Sequence, residues 1–154
     1  MPNYIQGRFK PSHPEKYRGD ITQIIYRSSW EMSFMCRLDK DPNVVTWSSE
    51  ELIIPYVSPV DGEIHRYFPD FQYRTKDKSV FLVEIKPYAQ TQEPKKPKSK
   101  RVTRSYASAI QTYMVNKAKW KAVQNVCENQ GWKFKLLTER DLGFGNLNTR
   151  KTKR

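Results

Sequence analysis

Two cysteines and two histidines among 154 residues leave little for soft-metal chemistry. Cys36 and Cys127 are far apart, and His13 and His65 are poorly spaced to help them, so no structural zinc is expected. The two thiols read as reduced. No run approaches the roughly 20 apolar residues of a membrane-spanning helix. No cationic helix with a broad apolar face stands at either end, so no membrane partner is expected. The first residues hold no hydrophobic signal core, and the reading is a soluble protein kept where it is made. There is no G-x-x-x-x-G-K-[ST] loop and no G-x-G-x-x-G, which removes support for a nucleotide cofactor. Acidic residues are scarce too: 16 Asp and Glu stand against 28 Lys and Arg, a net charge of +12. Such an excess predicts attraction to a polyanion, with nucleic acid first because neutralising phosphates releases counterions.

Leu, Ile, Val and Phe make up about 21% of the chain, enough for one compact domain but not for packing along its whole length. Residues 1–20, with three prolines, two glycines and four basic residues, read as an extended basic arm and not a packed element. A helix is expected from Ser28, because Ser28-x-x-Glu31 fits a capping box and Trp30, Phe34, Met35 and Leu38 recur as an inward face. From Val44 the period switches to two. Residues 52–57, 63–74 and 79–86 read as three strands of an antiparallel meander, with turns at Asp61 and Gly62 and at 75–78. Pro55 and Pro69 argue for an edge or a bend in their strands. Residues 88–104 carry the run "KKPKSKRVTR" and read as a basic, mobile loop.

A long helix follows from about Ser105 to Asn129. Tyr106, Ala109, Ile110, Tyr113, Trp120, Val123 and Cys127 form its stripe, and Lys117, Lys119 and Lys121 lie on or beside its exposed flank. Residues 132–137 alternate as a strand, Thr138 starts a short turn or helix, and 143–154 form a basic tail. The order helix, three antiparallel strands, long helix, strand is that of an α/β domain over 21–142, a mixed central sheet flanked by helices.

The chemistry gathers at the end of the third strand. Glu84 and Lys86 are two apart and project together, while Val83 and Ile85 face the other way. In a hairpin with the preceding strand Asp70 reaches the same neighbourhood, and Glu31 of the first helix packs over it. Charge gathered beside so apolar a strand is costly unless paired or bound to metal. Carboxylate oxygens suit a hard cation such as Mg2+. A cation there would polarise a scissile phosphate, with Lys86 orienting water or stabilising the negative charge. Each residue also has a plainer reading. Glu31 completes the capping box, Glu84 and Lys86 make a solvated pair at a strand end, and Asp70 is a turn residue after Pro69.

"Pro69-Asp70 … Glu84-Ile85-Lys86" resembles the PD-(D/E)xK nuclease signature, an acidic residue and an E-x-K triplet on adjacent strands. "YRSSWE", "HRYFPDF", "VEIKP" and a long helix followed by "FKLLTERDL" resemble its TnsA-type branch. Within that branch the set is similar to the head completion proteins of T-even-type tailed phages, over about residues 21–142.

The resemblance implies a restriction-endonuclease-like core, with Asp70, Glu84 and the Ile85 backbone carbonyl as ligands of Mg2+ or Mn2+. Glu31 is then the helical acid and an optional further ligand, and Lys86 the catalytic lysine. It further implies a DNA endonuclease of low sequence specificity acting on double-stranded or branched DNA during head completion. The protein would work in the host cytoplasm and then in the virion, against head, neck or portal-region proteins. Lys95, Lys96, Lys98, Lys100, Arg101, Arg104 and His65 are the expected DNA contacts. The rival expectation is a non-enzymatic virion protein that binds DNA ends and seals the head or neck.

Overall fold

Ser28 starts the first long helix as its spacing to Glu31 predicts: its hydroxyl accepts the Glu31 N–H at 3.1 Å. The computed structural model describes residues 6–99 and 101–143. In chain order the elements are β1 (Gly7–Arg8), β2 (Ile25–Tyr26), α1 (Ser29–Lys40), β3 (Val44–Ser49), β4 (Ile54–Val57), β5 (Ile64–Tyr67), β6 (Phe71–Thr75), β7 (Val80–Ile85), α2 (Arg104–Gln130), β8 (Lys133–Leu137) and α3 (Glu139–Leu142).

Four strands make the central sheet in the order β3-β6-β7-β8. The first two pairings are antiparallel and β7–β8 is parallel, which requires the long crossover that α2 supplies. Trp30, Phe34, Met35 and Leu38 of α1 pack on Trp47, Phe71, Tyr73 and Val83. Val123 and Cys127 of α2 pack on Leu82, Ile54 and Tyr67 against the opposite face. The fold is thus an α/β sandwich around a mixed sheet. Gly131 ends α2 at φ 74°, the left-handed conformation that glycine adopts without a Cβ penalty.

The strand pattern corrects the expected meander in two places. Residues 63–74 are not one strand, because the chain breaks at Phe68, Pro69 and Asp70. Pro69 has no N–H to offer a ladder and restricts the residue before it. β5 therefore leaves the sheet and pairs with β4 in a separate ribbon, Ile54 opposite Tyr67. The place beside β6 is taken instead by β3, a strand the sequence reading did not assign. Its Thr46 is half-buried and its Ser48 and Ser49 are buried polar residues, so it lacks an obvious apolar alternation.

The N-terminal arm is likewise a packed element. β1 pairs with β2, and Phe9 and Tyr17 are buried with their ring centroids 5.8 and 4.8 Å from that of Trp47. Asp39, 1% exposed, accepts the backbone N–H groups of Ser12 at 2.7 Å and His13 at 3.1 Å. Lys16 donates to the carbonyls of Leu38, Asp39 and Asp41 and caps the end of α1. Asp39→Ala would remove the acceptor of two part-buried bonds that tie the arm to α1, with an expected loss of about 1–2 kcal/mol in urea unfolding. Asp39→Asn, which keeps one acceptor, should lose less.

The start of the basic loop is also held: Tyr88 donates its N–H to Glu139 at 2.7 Å and lies under the Arg140 guanidinium. Only the C-terminal half of α2 is buried, through Asn116, Trp120, Val123 and Cys127. The expected stripe residues Tyr106, Ile110 and Tyr113 are partly exposed, and Ala109 is exposed. Lys100 and all of the tail beyond Gly143 lie outside the described residues.

Candidate active site

Phe71 stands opposite Val83, so the preceding residue of β6 and the following residue of β7, Asp70 and Glu84, meet at one end of the sheet. Asp70 Oδ2 accepts the Ile85 N–H at 2.8 Å. Lys86 is held by its own N–H, which donates to Leu137 of β8 at 2.9 Å, and its ammonium lies 3.7 Å from Glu84 Oε2. Glu84 is 6% exposed, and its other oxygen, Oε1, is buried with no hydrogen-bond partner. The buried hydroxyl of Tyr67 is also without one.

These surroundings set the charges. Burial raises the Asp70 carboxyl well above the usual carboxylate range. The charge of Glu84 raises it further, against the Ile85 N–H. Burial raises Glu84 too, opposed chiefly by Lys86. Burial and then Glu84 push the Tyr67 hydroxyl up. Two neighbouring carboxylates with a bare buried oxygen are an unstable arrangement by themselves. An all-oxygen donor pair of this kind fits a hard divalent cation and does not fit a soft one.

Glu31 takes up its position by capping. Its carboxylate accepts the Arg27 N–H at 3.2 Å and lies 3.3 Å from the Ser28 hydroxyl, so the box closes one residue earlier than a capping box requires. Glu31 still faces the site: with Arg27, Ile85, Lys86 and Gln90 it lines a cavity of about 160 Å3. Burial raises its carboxyl, and the charge of Glu31 acts on Asp70. The expected convergence of three carboxylates is therefore a close pair, Asp70 and Glu84, with Glu31 near enough to act on Asp70 while lining its own cavity with Lys86. Among the described residues no three His, Cys, Asp or Glu side chains are grouped to hold a metal.

Four residues that the sequence reading left unassigned belong to the same neighbourhood. Lys119 is not on the exposed flank of α2. It is partly buried, with its ammonium 5.5 Å from the ring of Tyr67 and 5.7 Å from that of Tyr56. Burial lowers its pKa, and the charge of Lys86 lowers it further. The signal was available, since Lys119 stands three residues after Asn116 and four before Val123, on the buried face. Arg27 donates to both oxygens of Glu50. Glu50 has φ 54°, strain that a non-glycine residue carries only where its surroundings impose it, and its N–H holds the Asp70 carbonyl at 3.1 Å. Gln90 completes the cavity wall.

The structure does not bring His65 into this cavity. His65 lies on the β4–β5 ribbon and bonds Asp61 Oδ2 at 2.8 Å. Lys95, Lys96, Lys98, Arg101 and Arg104 are exposed along the segment that leads to α2.

Residues 41–139 match the TnsA-like endonuclease N-terminal family. The chain is also 41% identical over 143 residues to the head completion nuclease of Enterobacteria phage T4, covering 90% of this chain and 95% of that protein. With a mixed α/β sheet of the restriction-endonuclease-like kind and the acidic pair at its end, the chain belongs to the TnsA-like endonuclease family.

Proposed function

We propose that the protein is a metal-dependent DNA endonuclease of low sequence specificity that trims or processes packaged DNA during phage head completion. The observation that carries this reading is Glu84: a buried carboxylate with one oxygen facing Lys86 and the other bare, beside a second carboxylate. Asp70 and Glu84 would hold Mg2+ or Mn2+, joined by the Ile85 carbonyl and, as a further ligand, Glu31. Such a cation supplies Lewis acidity and lowers the pKa of bound water. The rest of the work falls to the chain. Lys86 presents an ammonium where negative charge grows on the phosphate. Lys119 places a second cation on the α2 side, and Tyr67 fixes the wall beneath it. Arg27 and Glu50 brace the segment that carries Asp70.

Among the described residues no separate recognition helix is left to read bases, so affinity comes from the DNA backbone, duplex or branched. The exposed Lys95, Lys96, Lys98, Arg101 and Arg104 add to it, with Lys100 between them in sequence and His65 on the neighbouring ribbon. Head, neck or portal-region proteins are the proposed partners. The protein would be made in the host cytoplasm and carried into the virion.

The rival reading is a non-enzymatic component that seals the head. Exposed Val57, Val60, Ile64 and Met114 on the β4–β5 ribbon and α2 give it a surface for protein contact. Incubation with supercoiled and linear plasmid in Mg2+, Mn2+ or EDTA separates the two. Cleavage that needs metal and disappears in Glu84→Gln is expected. Binding without cleavage in every metal would reject the nuclease reading and leave the structural one.

A further inference from the structure

The sheet face that carries Glu84 is only half covered. α2 packs over Leu82 and along β8, and β4 closes in beside it. Over β3 and β6 the same face is left open as a trough of about 330 Å3, lined by Arg18, Thr46, Ser48, Gln72, Arg74 and Val80 among others. Register explains the lining. Thr46, Arg74 and Val80 form one cross-strand row, and Ser48, Gln72 and Leu82 the next. Asp70, Gln72 and Arg74 lie two apart on one face of the chain. On β6 the trough begins at Gln72, two residues beyond Asp70, so the acidic pair and the trough follow one another on this face over about 13 Å, the length of roughly four base steps.

The N-terminal arm completes it. Tyr17 bridges to Trp47 beside β3 and sends its ring into the core, so its neighbour Arg18 turns to the trough face. The Arg18 N–H donates to the Trp47 carbonyl at 2.8 Å. One guanidinium nitrogen donates to the carbonyl of Glu15 at 2.8 Å, which fixes the group and leaves most of its five N–H donors free. Arg74 is exposed, and no acidic side chain lines the trough. Two guanidinium groups, the Thr46 hydroxyl and the Gln72 amide, over a floor that includes the buried Trp47, Tyr73 and Val80, suit a phosphodiester backbone better than a protein partner.

We propose that this trough is a second DNA-binding site, which seats the sugar-phosphate backbone of a duplex on its way to Glu84 and Lys86. Arg18 and Arg74 take phosphates, and Gln72 and Thr46 bond along the strand. The purpose of the DNA there rests on the nuclease reading, but its binding can be measured without cleavage. The experiment is fluorescence anisotropy of a labelled duplex in EDTA against salt concentration, with every variant built on Lys86→Ala. Arg18→Ala with Arg74→Ala should weaken binding roughly tenfold. It should also reduce the slope of log K against log salt by about 1.8, for two lost phosphate contacts.

Arg18→Lys with Arg74→Lys should keep most of that slope, and thermal melts check that each variant folds. Lys10→Ala with Lys40→Ala removes the same charge from exposed positions outside the trough and should cost about twofold or less. Equal losses in the two alanine pairs would mean a diffuse charge effect and overturn the site. So would an unchanged slope in the arginine pair, or a parent protein that binds no duplex. A parent that binds as expected, while the unsubstituted protein cuts no DNA in any metal, would reject the nuclease reading and leave the trough standing.

Discussion

Lys86→Ala is expected to reduce DNA cleavage by about 10²–10³-fold or more while the protein folds and binds DNA. The backbone N–H of Lys86, not its side chain, makes the bond to β8, and the side chain is a partly exposed arm reaching Glu84 at 3.7 Å. Its partner is buried, so loss of the ammonium leaves that carboxylate less compensated, and stability in urea unfolding should fall by about 1–3 kcal/mol at neutral pH. The ammonium is the chief influence holding the Glu84 pKa down, and it acts on Asp70 in the same sense. Lys86→Arg is not expected to restore full activity, because a planar fork cannot occupy the position of a compact ammonium. Single-turnover cleavage under saturating protein is the measurement. A variant that cuts at the parent rate would remove Lys86 from the chemistry and leave Lys119 as the cation to test.

The gathering of Asp70, Glu84 and Lys86 at one end of the sheet was legible because it is local. Asp70, Glu84 and Lys86 sit on two strands joined by the tight turn at 75–78, so alternation alone places them at one end. Glu31 was legible as a helix start, and its dual position follows from the same short spacing. What escaped depends on contacts between distant segments. Phe9 and Tyr17 pack on Trp47 across a stretch whose prolines and glycines look unpacked. Val44–Ser49 was hidden because Thr46, Ser48 and Ser49 are polar although half-buried or buried, so no apolar alternation marks the strand. Lys119 was read by its charge when its neighbours Asn116 and Val123 already fixed its face. Pro69 was read as a bend, yet its larger consequence, moving β5 out of the sheet, depends on β3 taking the vacated place.

Asp70→Asn should remove cleavage and at the same time stabilise the metal-free protein at neutral pH. Burial and Glu84 raise the Asp70 carboxyl, so the folded chain binds this proton more tightly than the unfolded chain. The stabilisation it gives is complete below the unfolded carboxyl pKa and is lost as pH rises through the folded value. At neutral pH the ionised pair is therefore a cost, and an amide relieves it. Asn keeps an oxygen for the Ile85 N–H and offers an N–H₂ toward Glu84. The expected gain is about 1–3 kcal/mol in EDTA. Other carboxyls titrate in the opposite sense: Asp20, Asp61 and Asp77 are held low by local hydrogen bonds. The readout is therefore the difference between parent and variant in urea unfolding, near zero at low pH and growing toward neutral. Added Mg2+ should close that difference by stabilising the parent alone, since only the parent keeps both acids. A variant less stable than its parent at every pH would mean that Asp70 holds the strand end through its hydrogen bond to Ile85 more than it strains the site. The acidic pair would then be a structural feature, and its loss of cleavage would need another explanation.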